Sequence, residues 1–206
     1  MHTFMKWAVV LLVPAVLGAA AQRAEHAVAE GATVKLLLLR QKSVQKELQL
    51  DPEVVKKIMA HTDGQSQAAK KALDLGEAAR KEAFENLGKQ NEKFLTDTLT
   101  AQQSQRLDQI VMQFTALTQL LKPEMVKELK LSDEQVKKLK DLHTESRKAL
   151  VELIEAKERA GKSEKLAKLR EETRQKIMAE LTDEQKTKVR DLAGPPFGGE
   201  IVVEEP

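Results

Sequence analysis

The chain has 206 residues, 34 of them Lys or Arg and 32 Asp or Glu, with 41% hydrophobic and 3% aromatic residues and no Cys or Tyr. Without Cys there is no disulfide scaffold, thiolate metal site or Cys nucleophile, a composition that also spares an exported protein unwanted oxidation. The two charge signs are interspersed, leaving no basic stripe of the kind nucleic-acid binding needs, and the abundance of Ala, Leu, Glu, Lys and Gln favours helix.

Met1–Lys6 carries a positive charge at Lys6 and is followed by an apolar run Trp7–Leu17 broken only by Pro14, and by the small residues Gly18-Ala19-Ala20-Ala21. This three-part pattern predicts a secretory signal peptide over residues 1–21, cleaved after Ala21. The run is shorter than the ~20 residues that span a bilayer; an uncleaved anchor is the alternative. No Cys follows it to carry a lipid. The expected location is therefore periplasmic or secreted, with no integral membrane span after cleavage. Residues 22–33 read as a flexible mature N-terminus.

The rest of the chain carries a duplication. Lys42–Ile58 (KSVQKELQLDPEVVKKI) and Pro123–Leu139 (PEMVKELKLSDEQVKKL) share eight of seventeen positions at an offset of 81, and LTAQQ from Leu99 matches LTDEQ from Leu181 at 82. A fixed period defines repeats before any fold is assigned: residues 34–121 form helical repeat 1 and 122–193 helical repeat 2. Each reads as a short helix, a long helix and a shorter closing helix. The short helices cover about Val34–Leu48 and Pro123–Leu129, and the long ones start at Asp51 and Ser132. In the first long helix Gly64, Gly76 and Gly88 each cost about 1 kcal/mol relative to Ala. Asp63-Gly64 is an alternative break, but Thr144-Glu145-Ser146 at the same place in repeat 2 holds no breaker. A bent, continuous helix from Asp51 to Leu95, roughly 68 Å long, is expected.

Steps of three and four give each helix one apolar stripe. In the first closing helix the stripe is Leu107, Ile110/Val111, Phe114, Leu117 and Leu121, ended by Pro123. In repeat 2 it runs Val136, Leu139, Leu142, Ala149/Leu150, Leu153/Ile154, and then Leu166, Leu169, Thr173 and Ile177. Phe84, Phe94, Met112 and Phe114 read as core. The other faces carry i,i+4 pairs, Glu134–Lys138, Glu155–Arg159, Glu164–Lys168 and Glu172–Lys176, each contributing about 0.2–0.5 kcal/mol. The one β-like fragment, Ile201-Val202-Val203, follows a Gly/Pro-rich stretch, so residues 194–206 read as a helix stop and a flexible tail. The expected fold is all-α, an elongated bundle of long antiparallel helices from two tandem repeats, with pseudo-two-fold symmetry.

Thr100, Ser132 and Thr182 are each followed three residues later by Gln (Gln103, Gln135, Gln185), the spacing of a capping box, and each is preceded by a Leu (Leu99, Leu131, Leu181). The hydroxyl accepts from the N3 backbone N–H and the Gln side chain reaches back to the cap's own N–H, for about 1 kcal/mol per cap. Leu131 is placed to staple against Val136. Asp51-Pro52-Glu53 is a variant with an Asp cap and Pro at its favoured first helical position, and Leu50 placed to staple against Val55.

LTAQQ, LSDEQ and LTDEQ, in a Cys-free helical chain behind a signal peptide, resemble the LTxxQ signature of the Spy/CpxP-like periplasmic proteins. The likeness covers essentially the whole mature chain, although members of that family typically carry one unit. It implies an ATP-independent chaperone or envelope-stress adaptor that binds unfolded or other exported proteins. Since the family works as antiparallel dimers, two units in one chain imply a monomeric pseudo-dimer rather than an obligate homodimer. The alternatives are a structural or regulatory module for one envelope partner, and a weakly metal-responsive protein.

Chemistry-bearing patterns are scarce. There is no G-x-S-x-G, Walker A, G-x-G-x-x-G or H-E-x-x-H, and His143 with Ser146 lacks a third triad member, so neither enzyme nor cofactor is expected. His61 and His143, at matching places in the repeats, are the only metal candidates, and a polar helix flank is the plainer reading. Lys56, Lys57, Lys137 and Lys138 form a repeated basic pair that either lines a client-binding face or is a solvated flank.

Overall fold

A computed structural model describes residues 31–156, 161–199 and 201. Among them the chain is all-α: α1 (31–39), α2 (Lys42–Glu47), α3 (Pro52–Leu73), α4 (Glu77–Thr98), α5 (Ala101–Leu120), α6 (Pro123–Glu128), α7 (Asp133–Glu155), α8 (Lys162–Glu180) and α9 (Asp183–Ala193). The signal-peptide pattern lies outside the described residues. No helix among them is long and apolar enough to cross a membrane.

The first short helix is two helices. Gln41 is extended (φ −78°, ψ 124°) and starts α2, while the Gln45 side chain donates to the Leu39 carbonyl at 2.8 Å, covering an acceptor that the end of α1 leaves bare. Nor is the start of the described chain a loose terminus, because residues 31–33 lie in α1 and Ala32 is buried.

The duplication holds at backbone level. Both short helices end in a left-handed residue that is not glycine, Gln49 (φ 49°) and Lys130 (φ 51°). The next amides, Leu50 and Leu131, reach back to the Gln45 and Val126 carbonyls, each at 3.0 Å, the helix-ending pattern of a Schellman motif. Buried positions match at the same offset, Leu39 with Leu120, Leu48 with Leu129 and Ile58 with Leu139. Helix α5 is accordingly composite: residues 101–111 correspond to α9 and residues 112–120 to α1. It bends at Thr115 (φ −124°, ψ 27°), whose hydroxyl donates to the Val111 carbonyl at 2.7 Å, a back-bond that bends helices. The divide between the two compact units falls inside α5, at Leu107/Asp108, instead of 121/122, because the closing helix of one repeat continues into the opening helix of the next.

The long first helix does not form. The chain breaks at Asp74–Gly76 and α4 folds back along α3. His61 meets Asn91 at 3.0 Å and Gln65 meets Gln90 at 3.1 Å, so partner numbers fall on one helix as they rise on the other, as antiparallel packing requires. The hairpin buries Ile58, Thr62 and Ala72 of α3 and Gly88, Asn91 and Leu95 of α4, apolar surface that a single rod of that length leaves in water. Gly64 and Gly88 stay within helix, while Gly76, extended at φ −61°, ψ 158°, starts α4. In the second unit α7 and α8 form the same hairpin, with Glu145 against Lys176 at 2.7 Å and Ser146 against Thr173 at 3.1 Å.

In the second unit Met112, Leu117, Leu120, Leu129, Leu131, Leu139, Ile177, Leu181 and Val189 make one buried cluster, with Val136 packed against it. Of the expected surface pairs, Glu134–Lys138 forms at 3.4 Å. Lys176 turns to Glu145 and Lys168 to Glu172 at 3.8 Å, since cross-hairpin and neighbouring carboxylates compete for them; Arg159 lies outside the described residues. The start of the tail is not loose either: residues 195–197 are tied to α5 through Gln113.

Candidate functional site

Among the described residues, the LTxxQ motifs build a connected polar arrangement. All three capping boxes form. Gln103 Oε1 accepts from Thr100 N at 3.0 Å, and Thr100 Oγ1 from Gln103 N at 3.2 Å. The same reciprocal pairs join Ser132 to Gln135 and Thr182 to Gln185. Leu99, Leu131 and Leu181 are buried beside them.

Each capping box leaves the glutamine Nε2 donors unused, and the fold spends them across the unit. Gln103 Nε2 donates to the Leu48 carbonyl at 3.2 Å, and Gln185 Nε2 to the equivalent Leu129 carbonyl at 3.2 Å. The motif therefore starts the closing helix and also ties it to the end of the short helix, in both repeats. In the first unit Arg106 reinforces the tie through Nε and Nη2 to Glu47 Oε1 at 2.8 and 2.6 Å.

The second unit adds a glutamine that the first lacks. Gln135 and Gln185 face each other amide to amide, with Gln135 Nε2 to Gln185 Oε1 at 2.7 Å and Gln185 Nε2 to Gln135 Oε1 at 3.1 Å. Gln135 Nε2 also donates to the Glu180 carbonyl at 2.8 Å, so the starts of α7 and α9 and the ends of α6 and α8 meet at one point. Val54 occupies the corresponding place in repeat 1 and has no amide to offer. Lys138 stands beside this junction, bonded to Glu180 at 3.1 Å and to Glu134. Hydrogen bonding to Glu180, then its charge, and the same from Glu134 raise the Lys138 pKa above its ordinary value.

The other sequence candidates scatter. Lys56, Lys57 and Lys137 are exposed, and Lys138 is half of a structural tie. His61, in the first hairpin, stacks on Phe94 with ring centroids 3.8 Å apart and planes 4° from parallel, and bonds the buried Asn91. His143, in the second unit, lines a shallow open depression of about 350 Å³ on α7 with Arg147, Lys148, Val151 and Glu152. The two are not structural equivalents: at the backbone offset of 81, His61 corresponds to Leu142 and His143 to Thr62. No group of three or more His, Asp or Glu side chains able to hold a metal occurs among the described residues.

Sequence reasoning missed Asn91, Gln113 and Arg170. Asn91 is 4% exposed; a polar residue in step with the apolar positions Gly88 and Leu95 is the signal that marks it. Gln113 and Arg170 carry no local signal, since their partners lie far along the chain.

Fold and site together define an all-α protein of two like units whose motif glutamines fasten helix ends. Compared with known proteins, the chain matches no family model, no curated protein and no solved structure at a significant level.

Proposed function

We propose that the chain is an exported, non-enzymatic helical protein that binds exposed segments of other exported proteins, as a chaperone or envelope-stress adaptor of the Spy/CpxP-like kind. The observation that supports this reading most is the repeated task of the motif. At matching places in both units its glutamine closes a capping box and spans to the short helix, so LTxxQ here is one device used twice, not three chance boxes. The Gly18–Ala21 pattern supports export. Because one chain supplies two units, it is proposed to act as a monomer where the family it resembles uses two chains. Light scattering from a denaturing client protein tests the binding: suppression of aggregation at equimolar protein is expected, and none at stoichiometric excess overturns the reading.

A second reading, a regulatory module for a single envelope partner, is favoured by the charged surface. The exposed large apolar side chains among the described residues are Leu73, Leu75, Val151 and Leu192. A pull-down recovering one dominant partner, with no anti-aggregation activity, selects it.

A further inference from the structure

Residues 195–197, just after α9, are bonded within their own unit by the Gln113 side chain. Gly194 ends α9 at φ 61°, ψ −164°, a region that essentially only glycine enters. Gln113 then donates from Nε2 to the Ala193 carbonyl at 2.7 Å and to the Pro195 carbonyl at 2.9 Å, while its Oε1 accepts from the Phe197 N–H at 2.8 Å. Pro195 and Pro196 have no N–H to give. The Phe197 amide is therefore the first donor after Gly194, and one glutamine amide reads both it and the preceding carbonyls. The Phe197 ring meets Phe114 edge-on, centroids 6.0 Å apart at 71°, and the Arg170 guanidinium carbon lies 5.2 Å from the centre of the Phe114 ring.

These contacts read main chain and one aromatic ring. They ask for main-chain carbonyls and an amide within reach of one glutamine and a ring placed just beyond, features that many unfolded segments offer. A proline pair merely supplies them with little ordering cost, since its φ is already fixed.

We infer that Gln113 and Phe114, with Arg170 against the Phe114 ring, form a docking site for an aromatic-bearing peptide segment, which the chain's own residues 195–197 occupy in cis. The segment taken in trans is an unfolded stretch of an exported protein. That identity rests on the function proposed above, whereas the site rests on the seated segment. Tethered directly to α9, the tail sits at an effective concentration of mM or more, so an outside peptide of modest affinity enters only when the tail is released. The tail thus limits binding to clients that offer many such segments at once.

The test uses the full chain, a tail variant carrying Pro196→Gly and Phe197→Ala, and a fluorescein-labelled peptide Ala-Gly-Pro-Pro-Phe-Gly-Gly read by anisotropy. The tail variant is expected to bind the peptide at least about tenfold more tightly than the unmodified chain. Adding Gln113→Ala, or Gln113→Met, which keeps the bulk without the amide, is expected to abolish that gain while the helical melting curve is retained. Equal affinity of the unmodified chain and the tail variant, or a gain that survives both Gln113 changes, overturns the inference. Aggregation suppression measured on the same samples separates the two proposals. Peptide binding without suppression leaves the site standing and removes the chaperone reading. Suppression by a chain whose tail variant gains no affinity removes the site alone.

Discussion

At the scale of single residues, the motif glutamines carry more than their capping role. Gln185 is 7% exposed and serves Thr182, the Leu129 carbonyl and Gln135 at once. Its loss strands the buried Leu129 carbonyl and takes one partner from the half-buried Gln135 amide, and a buried group left unpaired costs about 1–3 kcal/mol. Gln103 is only half-buried and serves Thr100 and the Leu48 carbonyl. Gln185→Ala is therefore expected to destabilise its unit by about 2–4 kcal/mol and Gln103→Ala by about 1–2 kcal/mol, read as midpoint shifts in urea unfolding; equal shifts contradict the amide-to-amide junction. The boxes were legible in sequence because all their partners lie within three residues. The reach to Leu48 and Leu129 was not, because it joins residues more than fifty positions apart. A surface group gives a second residue-scale test. Hydrogen bonds from Arg174, then from Gln175, push the Glu171 pKa down to about 2. A lowered carboxylate pKa means that the charged form is the favoured one when folded. The associated stability is complete above the ordinary carboxylate range and is lost as the pH falls from about 4.5 to about 2; lying at the surface, the pair contributes little at high salt. Carboxyl-carbon NMR should place the Glu171 midpoint near 2, and Arg174→Gln should return it toward the ordinary range.

At the scale of elements, glycines with opposite roles offer a contrast. Gly64 lies inside α3 with open space where a Cβ stands, so Gly64→Ala removes backbone freedom from the unfolded chain and is expected to stabilise by about 0.5–1 kcal/mol. Gly194 has positive φ, and a Cβ there overlaps the Gln109 side-chain amide, so Gly194→Ala is expected to cost about 1–3 kcal/mol. Thermal melts of both variants check the pair, and a stabilised Gly194→Ala contradicts the turn that seats the tail. The stripes, caps and repeat period were all legible from the chain. The hairpin break at Asp74–Gly76 was not, because Leu-Asp-Leu-Gly is a weak stop locally; α4 turns back because its stripe has α3 to cover. Nor was the fusion in α5, since two helices joined end to end keep one unbroken period and only Thr115 marks the joint.

At the scale of the whole molecule, the duplication bears on assembly. Two copies of one unit tethered on one chain meet at an effective concentration of about mM, while a second chain at a working concentration of about μM offers its units roughly a thousandfold more thinly. Any pairing of like units that the proposed function uses is therefore expected to be satisfied within the chain. Light scattering behind a sizing column should return the mass of a single chain across a hundredfold dilution, and urea unfolding midpoints should be independent of protein concentration, as linkage demands when no second chain takes part. A two-chain mass that persists on dilution shows that each unit seeks its partner on another molecule. Repeat 2, which carries the extra Gln135 and the seated tail, is then the natural place to look for what repeat 1 cannot supply.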